Sequence, residues 1–401
     1  MSKLNVDLET AIKLCLQADR IPEIKYITLE TAVDYIVAED IIAGINMPGF
    51  ARSLVDGYAL HRDNINLNSP IQKLRISGEI AAGQPATVPL SPGICFRVMT
   101  GAQVPDGTAA VLKQELAVLQ QNYISYTDYV KDNENLQLIG DVITAGDKIA
   151  FAGSRLNPET LEQIACTGIS HVPVFKKPRV YIIVTGTELD QPGQPLRTGH
   201  IYNSNRTLFS TLVSKAGGQP ESSELAIGDD LPALMQEIKT AVHKAPLVII
   251  SGGTSDGQYD IVPNALEKLG ARFLFRELDL RPAHRTSAAI LDGSIVFNVT
   301  GNPFGGVIMF YALISPVFKW LQGMRNYANS WFDFYLENDL PRIIKVRRLM
   351  LGELTLSNNG FSIIPHTKMK TDINLPVLLD IPAGHGRVGD QARATLIHLT
   401  V

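Results

Sequence analysis

Three short segments set glycine, hydroxyl and carboxylate side chains directly after apolar runs: VTGTEL (184–189), SGGTSDGQYD (251–260) and VTGNP (299–303). Glycine lets an anion approach backbone N–H groups closely, and the start of a following helix adds partial positive charge. Thr185, Gly186, Gly252, Gly253, Ser255 and Gly257 are candidates for such a cradle in the first two segments. Gly301, Asn302 and Pro303 are the candidates in the third, and Ser251 can add a hydrogen bond. Tight strand-to-helix turns use the same residues for steric reasons. One such loop favours the steric account, but three at one sheet edge favour a binding site. The acids need a separate account, because carboxylates repel phosphate. Glu188, Asp229, Asp230 and Asp260 fall at strand-to-helix junctions. Asp229 and Asp260 fit helix N-caps, and they fit equally well as ligands of a Mg²⁺ that bridges substrate phosphates.

A second cluster spans MPGFARSLVDGYAL (47–60) and RVMTGAQVPDGTAAVLKQE (97–115), where Ser53, Asp56, Thr100, Gly101 and Lys113 can wall a polar pocket with Arg52. Asp56-Gly57 reads equally as a turn, and Pro105-Asp106-Gly107 reads as one. A third cluster, LRPAHR (280–285), supplies Arg281, His284 and Arg285 as positive charge for a polyanion, or forms a solvated turn between strands. Nucleophilic catalysis finds no support. There is no GxSxG elbow, and the eight histidines form no ligand pair at helical spacing.

The elements that must position these residues follow from the apolar patterning. VYIIVTG, SSELAIG and PLVIISGG read as strands separated by the helices NSNRTLFSTLVSKAGG and DDLPALMQEIKTAVHK, which predicts βαβ units and a parallel sheet over 177–326. Asn302 and Pro303 sit where a helix N-cap and first position belong, opening NPFGGVIMFYALISPVFKWL. Short strands broken by Gly and Pro predict a β-rich domain at 45–138, and strand-like runs predict another at 327–401. Helices are expected at 7–18, 30–40 and PETLEQIACTG. Packing of the first against the third would make 45–138 an insertion into a unit formed by 1–44 and 139–176. The fold class is therefore α/β plus β, and 401 residues suit two to four domains. A net charge of −4 argues against nucleic acid as a partner. No apolar run is long enough to suggest a membrane span. Cys15, Cys95 and Cys166 make neither a zinc signature nor a disulfide framework, which suits a reduced, cytoplasmic setting.

In this order, the clusters resemble the molybdopterin molybdotransferases, the bacterial molybdenum-insertion enzymes akin to the C-terminal domain of gephyrin. MPGFARSLVDGYAL is similar to the family's MPxFxxSxMDGYA, VMTGAQVPDGTAAVLKQE to TGAxxPxGADAVVxxE, and IIVTGTEL to STGDEL. IYNSNRT is similar to the segment carrying its DSN motif, SGGTSDGQYD to SGGVSxGxYD, and VTGNPFGG to LPGNPVSA. The resemblance covers nearly the whole chain. It implies an elongated homodimer with a site between the α/β domain of one subunit and the β domain of its partner. It also implies a reaction in which molybdate is inserted into adenylated molybdopterin, with release of AMP and the help of a divalent cation such as Mg²⁺. Other cofactor-synthesis proteins are implied as partners. By position, Asp56, Glu188, Asp229 and Asp260 match family acids, with Asp229 and Asp260 for the metal. Thr100, Ser255, Gly301 and Asn302 match pocket positions.

The departures are equally specific. KPGKP reads RPAHR, with Arg281 keeping a charge, Ala283 for glycine and His284 for the second lysine. NxRxxGED reads NLQLIGDVI, so Gln137 and Leu138 stand at basic positions and Val142 at an acid. Thr187 and Thr300 replace an Asp and a Pro, Asp256 adds charge to the glycine loop, and Lys368 and Lys370 are the cations of the last domain. A working transferase and a catalytically impaired paralogue that carries molybdopterin or regulates its delivery are the two readings these residues leave open.

Overall fold

The runs RVYIIV, LVIIS and SIVFNV lack the polar–apolar alternation of a strand with one wet face, and each becomes a strand buried on both sides: Arg179–Val184, Leu247–Ser251 and Ser294–Val299. The computed structural model describes residues 5–18, 22–65, 72–127, 129–223, 226–253, 261–357, 360–370 and 372–397. In it the three strands form the middle of a six-stranded sheet. The order is Gln219–Ser222, Arg179–Val184, Leu247–Ser251, Ser294–Val299, Ser287–Leu291, Arg272–Phe275. The first four strands run parallel and the last two join through antiparallel pairings, so the expected parallel sheet is mixed, with a hairpin on one flank.

Helices Leu231–Lys244 and Ile261–Lys268 cover one face, burying Leu234, Ile238, Val262 and Leu266 against Ile183, Val248 and Ile250. Ser204–Lys215 and Pro303–Leu321 cover the other face, with Phe209, Phe310 and Phe318 fully enclosed. Each such side chain contributes about 1.5–3 kcal/mol of burial. The glycines of NPFGG permit this packing: a β-carbon on Gly306 would lie 2.9 Å from the Phe209 ring. Pro303–Leu321 corrects one expectation. By length and composition it could span a bilayer, but 83% of its apolar window is buried, and it serves as the core helix. Its middle turn, Phe310–Ile314, is π-helical.

Strands Ile24–Thr28 and His171–Phe175 pair antiparallel, as do Ile41–Ile42 and Lys148–Ala150, joining two distant parts of the chain. The helix expected at 30–40 is only the 3₁₀ turn Leu29–Thr31. Beyond it the backbone N–H groups of Asp34 and Val37 donate to Leu156 and Ser154, so pairing across the chain replaces a local helix. The helix Leu8–Cys15 does form, but not against Pro158–Cys166. Its apolar face of Leu8, Ala11 and Cys15 belongs to the core of the α/β sheet.

Between these segments lies a six-stranded sheet in the order Thr108–Lys113, Gly57–His61, Ile94–Val98, Gln72–Ile80, Tyr123–Tyr126, Val118–Gln120. Five antiparallel strands, from Phe332–Tyr335 to Gln391–Leu396, make up the C-terminal sheet.

Candidate functional site

A cleft of about 420 Å³ opens where Arg179–Val184 and Leu247–Ser251 end, at the carboxyl edge of the sheet. That is the edge at which open α/β sheets bind ligands. Its floor is glycine by necessity. Gly252 has φ of +106°, and a β-carbon there would lie 2.5 Å from the Thr185 carbonyl oxygen; Gly253 has φ of +63°. Neither position accepts a side chain without strain, so backbone faces the cavity.

Asn205, on the helix Ser204–Lys215, ties two of the three loops together. Its Nδ2 donates to Ser251 Oγ at 2.9 Å and to the Gly301 carbonyl at 2.7 Å. The residue is 7% exposed and lines the cleft, yet its Oδ1 has no partner among the described residues. An unpaired buried acceptor costs roughly 1–3 kcal/mol, a cost that a ligand N–H or O–H would remove. The helix Ser204–Lys215 begins at the same wall, capped by Asn203, whose side chain accepts from the Arg206 N–H.

Glu188 and Asp229 both line the cleft and are exposed, whereas among the described residues no Lys or Arg lines it. Asp229 is not the helix cap: Asp230 fills that role for Leu231–Lys244, accepting from Ala233 N–H at 3.1 Å. The carboxylate of Asp229 is therefore left to the cavity. Beside the cleft, buried Asp190 accepts from the Arg197 backbone N–H and Nε at 2.9 and 2.7 Å. Those bonds, led by the guanidinium, hold its carboxyl below the usual range and pin the loop leading to Ile201 and Tyr202.

A second cleft, of about 550 Å³, lies in the β-rich sheet and contains Asp56, Thr100 and Lys113. Thr100 donates to Asp56 Oδ1 through its N–H at 2.7 Å and its hydroxyl at 2.8 Å. These bonds favour the ionised form and lower the Asp56 pKa. Gly57 is required behind it, because a β-carbon would lie 2.1 Å from the Leu112 carbonyl oxygen.

The remaining candidates divide. Thr185, Gly186 and Pro303 line the first cleft. Asn302 does not: its Oδ1 accepts from the Phe304 and Gly305 N–H groups and is used up as a cap. Ser53 is 1% exposed, its hydroxyl bonded to the Val55 carbonyl, and Gly101 shapes the turn beside it, so neither lines the second cleft. Arg281 and His284 line neither cleft. His284 sits in a turn closed by the Thr286 N–H on the Ala283 carbonyl, and Arg281, just before it, is paired through its backbone to the C-terminal domain at Arg347 and Leu349. Ala283 takes φ of +60°, the left-handed conformation that a glycine adopts freely. Ser255, Gly257 and Asp260 lie outside the described residues, and among those described no three His, Cys, Asp or Glu cluster as a metal site. Asn205, Tyr202 and Ile201 line the cleft without having been singled out; the NSN run at 203–205 was the available signal.

Comparison with known proteins decides the family. Residues 6–168 match the family model "MoeA N-terminal region (domain I and II)", and residues 181–320 match "Probable molybdopterin binding domain". A molybdopterin molybdenumtransferase of Haemophilus influenzae is 32% identical over 305 residues, covering 76% of this chain and 74% of that protein. The chain belongs to the molybdopterin molybdenumtransferase family. A Staphylococcus aureus molybdopterin molybdenumtransferase is 29% identical over 347 residues, 84% of this chain and 81% of its own length. A solved molybdopterin biosynthesis MoeA protein from Pyrococcus horikoshii matches with a TM-score of 0.83 and 25% identity, covering 98% of this chain and 99% of its own. That likeness extends through all the sheets described above.

Proposed function

We propose that this chain inserts molybdate into adenylated molybdopterin and releases AMP in molybdenum cofactor biosynthesis. The observation that carries this is the cleft at the sheet's carboxyl edge, where glycine backbone, the orphaned Asn205 acceptor and two free carboxylates meet in a chain of this family. The backbone N–H groups at Gly253 and at the start of Ser204–Lys215 face this cleft and can hold phosphate oxygens, whereas the Gly252 N–H is spent on the Val299 carbonyl. Asn205 orients the bound molecule through its unpaired oxygen. The bond broken is the phosphoanhydride, and AMP departs with new negative charge that the site must neutralise.

Glu188 and Asp229 cannot neutralise it themselves. They fit a Mg²⁺, which protein sites commonly hold through one or two carboxylates together with substrate phosphates. When bound, the ion would supply charge to the leaving phosphate; Asp260 is the third acid of this reading. Side-chain cations come from elsewhere in this reading, since none among the described residues lines the cleft. A homodimer answers that need by bringing the Asp56–Thr100–Lys113 pocket of one copy to the cleft of another. An apolar surface supports such a contact. Segments 46–54 and 135–143 run side by side, joined by Arg52–Gln137 and Met47–Ile143 pairing, and they expose Phe50, Leu54, Ile139 and Val142. The three free thiols suit the cytoplasm.

AMP release from adenylated molybdopterin, measured with molybdate and Mg²⁺ against a control without molybdate, tests the reading. Molybdate-dependent release is expected. Binding of the adenylate without release would leave a carrier and overturn the enzyme.

A further inference from the structure

A larger cleft lies at the opposite end of the α/β sheet. It encloses about 690 Å³ and is bordered by Arg179 and Gln219, the first residues of their strands, and by Pro246, which precedes Leu247–Ser251. The substrate cleft meets Val184 and Ser251, at the other ends of the same strands. Five or six residues of strand, about 17–20 Å, therefore separate the two.

Its charge is opposite to that of the substrate cleft. Lys25, Lys176, Lys177, Arg179 and Lys244 border it, and Glu23 is the one carboxylate among its lining residues. Glu23 accepts from Lys176 at 2.6 Å, and Arg179 reaches Glu221 only at 3.8 Å. Lys25 and Lys177 have no such relief. Their ammonium groups sit 4.5 and 4.6 Å from the centroid of a single ring, Tyr35, and Lys25 also donates to the Tyr35 hydroxyl at 3.1 Å. Among the described residues neither makes an ion pair. Two like charges held on one aromatic ring repel each other, and each is held there by cation–π attraction of about 0.5–1 kcal/mol. The chain as a whole carries −4, so this concentration of cations is not a reflection of overall composition.

We propose that this cleft binds an oligophosphate, either inorganic or carried by a nucleotide, at a site separate from the substrate cleft. Three features select that chemistry. The volume lies within the range of small-ligand pockets. Lysine ammonium groups act as point charges for phosphate oxygens. The cations come from two walls, Lys25, Lys176 and Lys177 on one and Arg179 and Lys244 on the other, so a chain of phosphates can bridge both.

The test is calorimetric titration of the full chain with sodium tripolyphosphate at about 50 mM salt, where screening is modest. One ion per chain is expected to bind. Lys25→Gln with Lys177→Gln should weaken binding about tenfold, and Arg179→Gln on the other wall should weaken it severalfold, each with an unchanged melting temperature. ATP binding equally would show that the phosphate chain alone is read, whereas tighter ATP binding would show that the nucleoside is read as well; either supports the site. Unchanged affinity in both variants would place the ion elsewhere, including the substrate cleft, and overturn the proposal. Absence of saturable binding would overturn it too. A hexaglutamate peptide that binds as tightly as tripolyphosphate would replace the oligophosphate with an acidic protein segment.

Discussion

Two groups of carboxylates sit in contrasting surroundings. Asp380 is 3% exposed and accepts from Arg347 Nε and Nη2 at 2.8 and 2.9 Å, and from both Nε and Nη2 of Arg393. Arg347 continues to Glu9 at 2.6 and 2.7 Å, so one guanidinium fastens the C-terminal sheet to the N-terminal helix. Glu188 and Asp229 have the reverse surroundings: they are exposed, they line a cleft, and no cation among the described residues stands in it. The closed cluster has nothing left to bind. The open one has acceptors to spare, which is the condition for holding a metal ion with its ligand.

The sharpest way to break this contrast is Asp380→Ala. It takes one of two carboxylate partners from half-buried Arg347 and removes the buried acceptor that Arg393 also uses, so a loss of about 3 kcal/mol is expected in denaturant unfolding. A loss below 1 kcal/mol would mean that the cluster is not closed. Asp229→Asn should do the opposite. Stability should stay within about 0.5 kcal/mol, as for surface changes, while molybdate-dependent AMP release falls roughly a hundredfold. An Asn variant that keeps its rate would remove Asp229 from the chemistry.

How much of this was legible in the sequence depended on the distance over which each residue is determined. The central strands and the Asn302–Pro303 helix start were readable because unbroken apolar runs and caps are local signals. Residues 30–40 were not, because their backbone partners lie more than a hundred positions away, at Ser154 and Leu156. Asp229 and Asp230 carry the same side chain, and only the position of the first helical turn decides which one caps. Ser53 looked like a pocket wall by type, yet its strand alternation turns it inward. Family likeness pointed to the acids, of which Glu188 and Asp229 line the cleft, but the position of Arg281 depended on a backbone pairing with the C-terminal domain that no motif contains.

Asn205 lies between the two groups, since one end of its amide is closed and the other open. Asn205→Asp keeps the shape but cannot donate to both Ser251 Oγ and the Gly301 carbonyl, so about 1–2 kcal/mol of stability should be lost. Because the loops it ties carry the backbone cradle, KM for the adenylate should also rise about tenfold, with a smaller change in kcat. An effect on stability alone would confine Asn205 to structure.

The smallest effect is expected at Glu9, the exposed end of the closed cluster. Hydrogen bonding from Arg347 holds its carboxyl below the ordinary value of 4.5. A depressed folded-state pKa means that the ionised form contributes stability above 4.5, and that the contribution fades as pH falls through the lowered value. Glu9→Gln preserves size and removes the charge. Thermal unfolding should therefore show wild type ahead of the variant by a constant margin from neutral pH down to about 5, no more than about 1 kcal/mol for a half-exposed pair, with the curves converging below 4.5. A margin that persisted unchanged into strong acid would trace the difference to packing on Arg347 rather than to charge. The closed cluster would then end at Asp380, and Glu9 would be only its neighbour.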